Sequence, residues 1–443
     1  MNLLEMRHIA EIIARVAIEA VKPEKLVYDM VKFDNPWLAI GSDRIDLRPF
    51  RKIIIVGAGK ATASMAHAVE DILKDRVSEG IIVVPEGPLT PLRHVKIKES
   101  SHPLPDGRGV AAAKQILSLL MQNAQTDVLV LCLISGGGSS LLPYPADGVS
   151  LSDKQTATRL LLQSGASISE LNTVRKHLSK IKGGQLARAA YPARVVSLIL
   201  SDVVGDRLDT IASGLTAPDA STFADAAAVF QKYKICGKAP QSVQQLLQKG
   251  VRGEAVETPK ADDPCFSTVN NFIIGNNRKA LQAASEEARS QGFRPLLLSS
   301  CLTGEAREVG TLFASIAKEV EYSRHPVAPP ACLLAGGETT VTVLGSGKGG
   351  RNQEAALSAA ISIADAKNIV ILAIGTDGAD GPTDAAGAIV DTTSIDRAVA
   401  AGLDPVEYLI RNDSYPLHEK TGDLVKTGPT GTNVMDLLIG LIS

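Results

Sequence analysis

Near the C-terminal end, two glycine-spaced polar runs put a fixed cation and several amides beside a group of carboxylates. They are Gly349-Gly350-Arg351-Asn352-Gln353-Glu354 and Gly375-Thr376-Asp377-Gly378-Ala379-Asp380-Gly381-Pro382-Thr383-Asp384. The second run is too rich in Gly and Pro to be helix or strand. An apolar run, Ile369 to Ile374, delivers the chain onto it. Carboxylates at the end of a buried strand are placed to hold a Mg²⁺-bound nucleotide, and without a ligand they would mostly repel. The loop therefore reads as a meeting place for a polyanion and a metal, with Asp377 and Asp380 as metal ligands.

Other runs offer complementary groups. Gly57-Ala58-Gly59-Lys60-Ala61-Thr62 follows a strand-like segment and opens a helical one. Thr62 stands where a dinucleotide fingerprint has its third glycine, and no acidic residue ends the next strand at the expected distance. Lys60 at a helix start suits a phosphate or carboxylate better than an adenine ribose; a plain turn with a solvated lysine is the competing reading. In Ser135-Gly136-Gly137-Gly138-Ser139-Ser140 the consecutive glycines let N–H groups converge on an oxyanion, with serine hydroxyls beside them. The spacing of a nucleophile elbow fails at Leu141, and no Walker A loop is present, so serine hydrolysis and a P-loop fold are disfavoured.

Asp202 and Asp206 flank Gly205 just past another strand, as ligands of one metal or partners of one hydroxyl, with a solvated turn as the alternative. Arg175, Lys176, His177, Lys180 and Lys182 form a basic helical stretch in which Arg175 can meet an anion, though such runs are more often solvated faces. Asn276 opens a helix, and His102 lies in the rigid loop His102-Pro103-Leu104-Pro105-Asp106.

The elements that must position these groups alternate. Apolar, β-branched runs at Lys52–Val56, Gly80–Val84, Val128–Ile134 and Val195–Leu200 are each followed by a glycine-rich or polar turn and a helical pattern, the signature of a largely parallel sheet. At 443 residues the chain exceeds one ordinary core. The expected layout is an N-terminal doubly wound, Rossmann-like α/β domain over 1–250, a polar, proline-punctuated linker over 251–265, and a C-terminal mixed-sheet α/β domain over 266–443. Strands are expected there at Asn271–Ile274, Pro295–Ser299, Ala331–Ala335, Thr339–Leu344 (in a hairpin) and Ile369–Ile374, with a closing helix after Thr430-Gly431-Thr432-Asn433. Met1 to Val21 reads as an amphipathic helix packed on a core rather than a signal peptide. A net charge of −2 gives no field to recruit nucleic acid or an anionic membrane. Five scattered cysteines with no zinc-site spacing argue for a reducing, cytoplasmic setting.

Taken together these motifs resemble the glycerate 2-kinase family, whose C-terminal part is the MOFRL domain. The resemblance runs from Gly57–Lys60 through Ser135–Ser140, Asn172–His177, Ser201–Asp206, Gly275–Asn277, Gly336–Thr340, Gly349–Glu354 and Gly375–Asp384 to Thr430–Asn433. It implies ATP-dependent phosphorylation of D-glycerate at its 2-hydroxyl, with Mg²⁺ or a similar divalent cation, in a cleft between two α/β domains. The family's essential lysine and arginine fall on Lys60 and Arg351. With them stand Asp202 as the base, Asp206, Asp377 and Asp380 as metal ligands, and Gly57, Gly59, Ser135, Gly136, Gly137, Gly138, Ser139, Ser140, Arg175, Asn276, Glu338 and Asn352 as substrate or phosphate contacts. Glycerate and ATP are the expected partners, along with a second copy of the chain in a homodimer. Hydroxypyruvate reduction with NAD(P)H is the alternative activity.

Overall fold

The computed structural model describes residues 1–87 and 91–443. The chain divides into two compact units: Pro23–Ser201 with Asp206–Ile274, and Met1–Lys22 with Asp202–Gly205 and Gly275–Ser443.

The first unit opens with helix Pro23–Met30 and a small antiparallel sheet, β1 (Val31–Asp34), β2 (Trp37–Ile40) and β3 (Asp43–Asp46). Its main sheet contains β4 (Lys52–Ala58), β5 (Glu79–Pro85), β6 (Val95–Ser100), β7 (Val128–Ile134), β8 (Arg194–Leu200) and β9 (Val269–Gly275), in the order β6-β5-β4-β7-β8-β9. The pairings among the first five strands are all parallel. Every residue of β7 is buried, as expected for a central strand covered on both faces, whose side chains read as a continuous apolar run. β6 escapes such a reading because Lys96, Lys98 and Glu99 make it polar; it lies at the sheet edge, where charge discourages further pairing.

Between β7 and β8 the chain forms a helical insertion, Leu151–Gln163, Ile168–His177 and Gln185–Ala190. Ser150 and Ser167 start the first two helices with reciprocal capping boxes. Helices Phe223–Lys232 and Gln241–Val251 join them in a separate apolar cluster built on Leu161, Val174, Phe223, Phe230, Val243 and Leu247. Residues 251–265, expected as a linker, fold into this unit. Glu257 pairs with His177, the Thr258 hydroxyl donates to Asp219, and Asp263 pairs with Arg188, so polar composition here reflects anchoring rather than freedom. Likewise β9, expected to open the second domain, joins the first sheet beside β8.

The second unit is built on β10 (Arg294–Leu302), β11 (Ala331–Gly337), β12 (Ile369–Gly375), β13 (Gly387–Asp391), β14 (Leu424–Val425) and β15 (Asp436–Ile442), in the order β10-β11-β15-β12-β13-β14. β10 and β11 are parallel and the remaining pairings antiparallel. The sheet is mixed, as expected, but not through a hairpin at Thr339–Leu344. That segment is a loop whose backbone donors are met elsewhere: Thr340 N by Gly304 O, Thr342 N by Glu305, Leu344 N and Gly345 N by the Asn412 side chain. Nor does the chain close with a helix. Asp436–Ile442 is a fully buried strand at the sheet centre, and a short all-apolar run carries no period to tell the two apart.

The N-terminal helix, Leu3–Glu19, does form, capped by Asn2 with Glu5. It buries Met6, Ala10, Ile13 and Ala17 in the second unit, and Arg7 bridges Asp391 and Asp423 there. Helices Ala306–Ser323 and Arg351–Ser362 complete that core with Phe313, Leu333, Ile371, Val390 and Leu438. Among the described residues no helix is long and apolar enough to cross a membrane, and all five cysteines are free thiols.

Candidate active site

In the first unit the ends of β4 and β7 lie side by side, with Ala58 paired to Ile134, so the turns that follow them are neighbours. Lys60 N donates to Gly136 O at 2.9 Å, and Ala61 N donates to Ser135 Oγ at 3.0 Å. Gly59 has φ +148°, and a β-carbon there would fall 2.0 Å from Ser135 Oγ, so only glycine fits where the two turns touch. Ser135 is therefore the staple between the loops, with both it and Gly57 buried. Two of the expected N–H donors are used inside the turn: Gly138 N goes to Ser135 O and Ser140 N to Gly137 O. The Lys60 side chain is exposed beside His102 and Gly137. Burial, then the Lys60 charge, lowers the His102 pKa and favours its neutral form.

Behind this turn Ser139 organises a polar network. Its hydroxyl lies 2.8 Å from that of Ser213, which donates to Asn172 Oδ1 at 3.1 Å. Ala212 and Ser213 have φ of +49° and +58°, a conformation that costs a non-glycine residue roughly 1–2 kcal/mol. Gly183 N and Gly184 N hold the segment there by donating to Ser213 O and Gly214 O. Lys182 Nζ donates to Ser139 O at 2.6 Å and to Ser139 Oγ at 3.0 Å. The basic stretch is thus not a solvated face: Lys176, His177 and Lys182 are buried and Arg175 is half-buried. Lys176 is structural, paired with Asp219 and Asp209, and so is His177, paired with Glu257.

In the second unit the chemistry gathers at one end of the sheet. Asp436, first residue of β15, sits in register between Gly337 of β11 and Gly375 of β12. Its carboxylate grips Arg351 with two bonds, Nε to Oδ2 at 2.6 Å and Nη2 to Oδ1 at 3.0 Å, while Arg351 Nη1 donates to Glu338 at 2.8 Å. Burial works against the Arg351 charge, but Asp436, Glu338 and Asp380 raise its pKa further. Burial pushes the Asp436 carboxyl up to about 6 despite Arg351. Sequence reasoning missed Asp436; the only signal was a carboxylate opening an apolar run.

Asp380, expected to ligate metal, caps the helix that starts at Arg351. Asn352 N and Nδ2 donate to one oxygen at 3.0 and 3.3 Å, and Gln353 N and Nε2 to the other at 2.8 and 3.0 Å. Burial raises its pKa against these donors. Asn352, buried, also donates to Asp436, so its side chain positions acids. Asp377 is half-exposed and accepts from Ala379 N. Arg351, Asp377 and Asp380 line one cavity of about 680 Å³ with Thr339, Gly350 and Glu354. Asn276 caps helix Asn277–Ser290 by accepting from Lys279 N. Asp202 is half-buried just after β8 and groups with the second unit, Asp206 with the first. Among the described residues no group of three or more His, Cys, Asp or Glu side chains could hold a metal by itself.

Two sequence families match the chain: the domain of unknown function DUF4147 over residues 9–248, and the MOFRL family over residues 331–436. The class is therefore an α/β protein of two units, the first carrying a parallel sheet and the second a mixed one. A glycerate 2-kinase of Pyrococcus horikoshii is 42% identical over 99% of this chain and 98% of its own. A putative hydroxypyruvate reductase of Agrobacterium vitis is 46% identical over 89% of this chain and 88% of its own. The crystal structure of a glycerate kinase from Thermotoga maritima matches with a TM-score of 0.87 at 43% identity, covering 99% of this chain and 100% of that one. The chain belongs to the glycerate 2-kinase family.

Proposed function

We propose that this protein transfers the γ-phosphoryl group of ATP to the 2-hydroxyl of D-glycerate, giving 2-phosphoglycerate and ADP. The observation that carries the reading is the Arg351 guanidinium, fixed by Asp436 and Glu338 at the head of a capped helix and facing a cavity large enough for a ligand. Phosphoryl transfer needs positioning and charge neutralisation rather than covalent help from the protein. Lys60, exposed on its turn, and Arg351 are the cations that stabilise the transferring group. Asp202 accepts the proton of the 2-hydroxyl as that oxygen attacks phosphorus and the bond to the ADP oxygen breaks.

Mg²⁺ is usually bound through one or two carboxylates plus substrate phosphates, and the half-exposed Asp377 beside Arg351 offers such a carboxylate. Asp377, at the Arg351 cavity, is the residue that would hold it, where it would neutralise phosphate charge; Asp380, with both oxygens bonded to amides, supports Arg351 instead. The free thiols suit the cytoplasm.

The reductase name carried by one relative favours a second reading, hydroxypyruvate reduction with NAD(P)H. Against it, Thr62 fills the third fingerprint position and is buried against Ser135. Incubation with D-glycerate and ATP, with coupling enzymes that separate 2- from 3-phosphoglycerate, tests the first reading. Incubation with hydroxypyruvate and NADH tests the second. NADH oxidation without ADP formation would replace the kinase assignment.

A further inference from the structure

The first unit holds enclosed basic groups that no acid pairs with among the described residues. Lys154 on helix Leu151–Gln163 is 6% exposed and Lys182 is 1% exposed. Lys154 Nζ is fully enclosed and has no hydrogen-bond partner among the described residues. Arg175 feels burial and no compensating carboxylate. Lys154 and Lys182 both feel the Arg175 charge, and Lys182 feels Lys154 as well, so the three are close enough to repel. Their neighbour Lys176 shows the ordinary solution to the same problem, two aspartates within ion-pair distance.

Burial, then the Arg175 charge, pushes the Lys154 and Lys182 amines toward their neutral form, and apolar side chains of the same volume would serve the fold better. A cluster of this kind is completed by an anion. Among the described residues its only side-chain hydrogen bonds run from Lys182 to Ser139, which is half-exposed and follows the Gly137 turn beside Lys60 and His102. The cluster therefore opens toward the turn on which the kinase reading depends.

We infer that Lys154, Arg175 and Lys182 form an oxyanion pocket, entered past Ser139, that takes the carboxylate of the acceptor acid. The inference rests on the kinase reading for the identity of that acid. A carboxylate is favoured over the nucleotide phosphates because the three cations have no acid beside them to receive a divalent ion, which they would repel. A bare carboxylate is small and planar and matches the guanidinium fork.

Lys154→Met in the full-length chain is the central test. Removal of an unpaired buried amine leaves the melting midpoint of the ligand-free protein unchanged or higher, whereas loss of a structural group lowers it. Loss of one charge-assisted contact corresponds to about a tenfold to hundredfold rise in KM for D-glycerate, with KM for ATP within about twofold of wild type. D-glycerate added alone stabilises the wild type against heat and no longer stabilises the variant, and glycerol, which lacks the carboxylate, stabilises neither. Arg175→Lys keeps the charge and loses the fork, and raises the glycerate KM with the melting midpoint unchanged. A lowered midpoint with an unchanged glycerate KM in Lys154→Met, or an unchanged KM in Arg175→Lys, overturns the pocket. Protection by inorganic phosphate but not D-glycerate, lost in Lys154→Met, overturns the carboxylate assignment and gives the pocket to the phosphoryl group. Wild type that binds glycerate but does not phosphorylate it sinks the kinase reading and leaves the pocket standing.

Discussion

Replacing Asp380 by Asn distinguishes a helix cap from a metal ligand. The native carboxylate accepts four N–H groups, two on each oxygen. The exchange turns one oxygen into an NH₂ group facing two donors, so two hydrogen bonds to a charged acceptor are lost at about 1.5–3 kcal/mol each. Loss of the negative charge from the helix N-terminus costs a further ~1 kcal/mol. Relief of a charge that burial already disfavours offsets part of this, leaving roughly 2–4 kcal/mol. For a unit of this size that is a fall in melting midpoint of roughly 4–16 °C, at about 2–4 °C per kcal/mol. Arg351 is the first residue of the helix, so fraying there moves the guanidinium, and turnover at saturating Mg²⁺ drops about tenfold or more. Differential scanning fluorimetry and a titration of activity against Mg²⁺ measure both. An unchanged midpoint with a tenfold rise in the Mg²⁺ requirement would make Asp380 a ligand and refute the capping argument.

Lys60→Ala removes an exposed side chain, so the melting midpoint should hold while turnover falls by about 10²-fold or more; a loss of only twofold in steady-state assays ends its assignment. Arg351→Lys keeps a charge for Asp436 but cannot make the two-pronged grip, and turnover should fall by at least about tenfold while circular dichroism is unchanged. Gly59→Ala would place a methyl group 2.0 Å from Ser135 Oγ in a backbone conformation alanine avoids; both stability and rate should fall, and a wild-type melting curve would disprove the close approach. Asp436 grips Arg351 when ionised, and burial puts its pKa at about 6 against about 3.9 unfolded, so activity should rise with pH through about 6 and lose that limb in Asp436→Asn. The sign for stability is opposite. A carboxyl raised on folding contributes fully below about pH 4 and loses its contribution as pH rises through 6, which urea melts at pH 4 to 7 would detect.

Central strands were legible in sequence because their solution is local: Val128–Ile134 and Ile369–Gly375 are buried end to end, and apolar content alone announces that. Asp436–Ile442 is equally apolar and was misread, because its strand state is decided by β11 and β12, more than sixty residues earlier in the chain. Site residues divide in the same way. Arg351, Asp377 and Asp380 announce themselves by type and glycine spacing, but what each does depends on partners the sequence does not pair. Asp380 looks like a ligand until Asn352 N and Gln353 N are seen on its oxygens. Lys154 had no legible signal at all: one lysine on a helix is solvated unless an insertion folds over it.

The two units reach their ligands with opposite electrostatics. In the second, Arg351 is clasped by Asp436 and Glu338, and Asp377, Asp380 and Glu354 line the same cavity, so carboxylates outnumber cations there. A naked triphosphate would be repelled by such a lining; one carrying a divalent cation would be accepted, with Arg351 available to the phosphoryl oxygens. In the first unit the balance is reversed, because the buried Lys154 and Lys182 and the half-buried Arg175 have no acid among them. That arrangement suits an organic acid that brings no metal. On charge, the Lys154, Arg175 and Lys182 group disfavours a metal complex, and the Arg351 cavity disfavours a metal-free anion. This contrast predicts that free ATP, without divalent cation, competes with D-glycerate, whereas the metal complex does not. Inhibition kinetics at fixed total ATP and varied Mg²⁺ read this directly, and competition that persists at saturating Mg²⁺ would show that charge does not sort the two ligands.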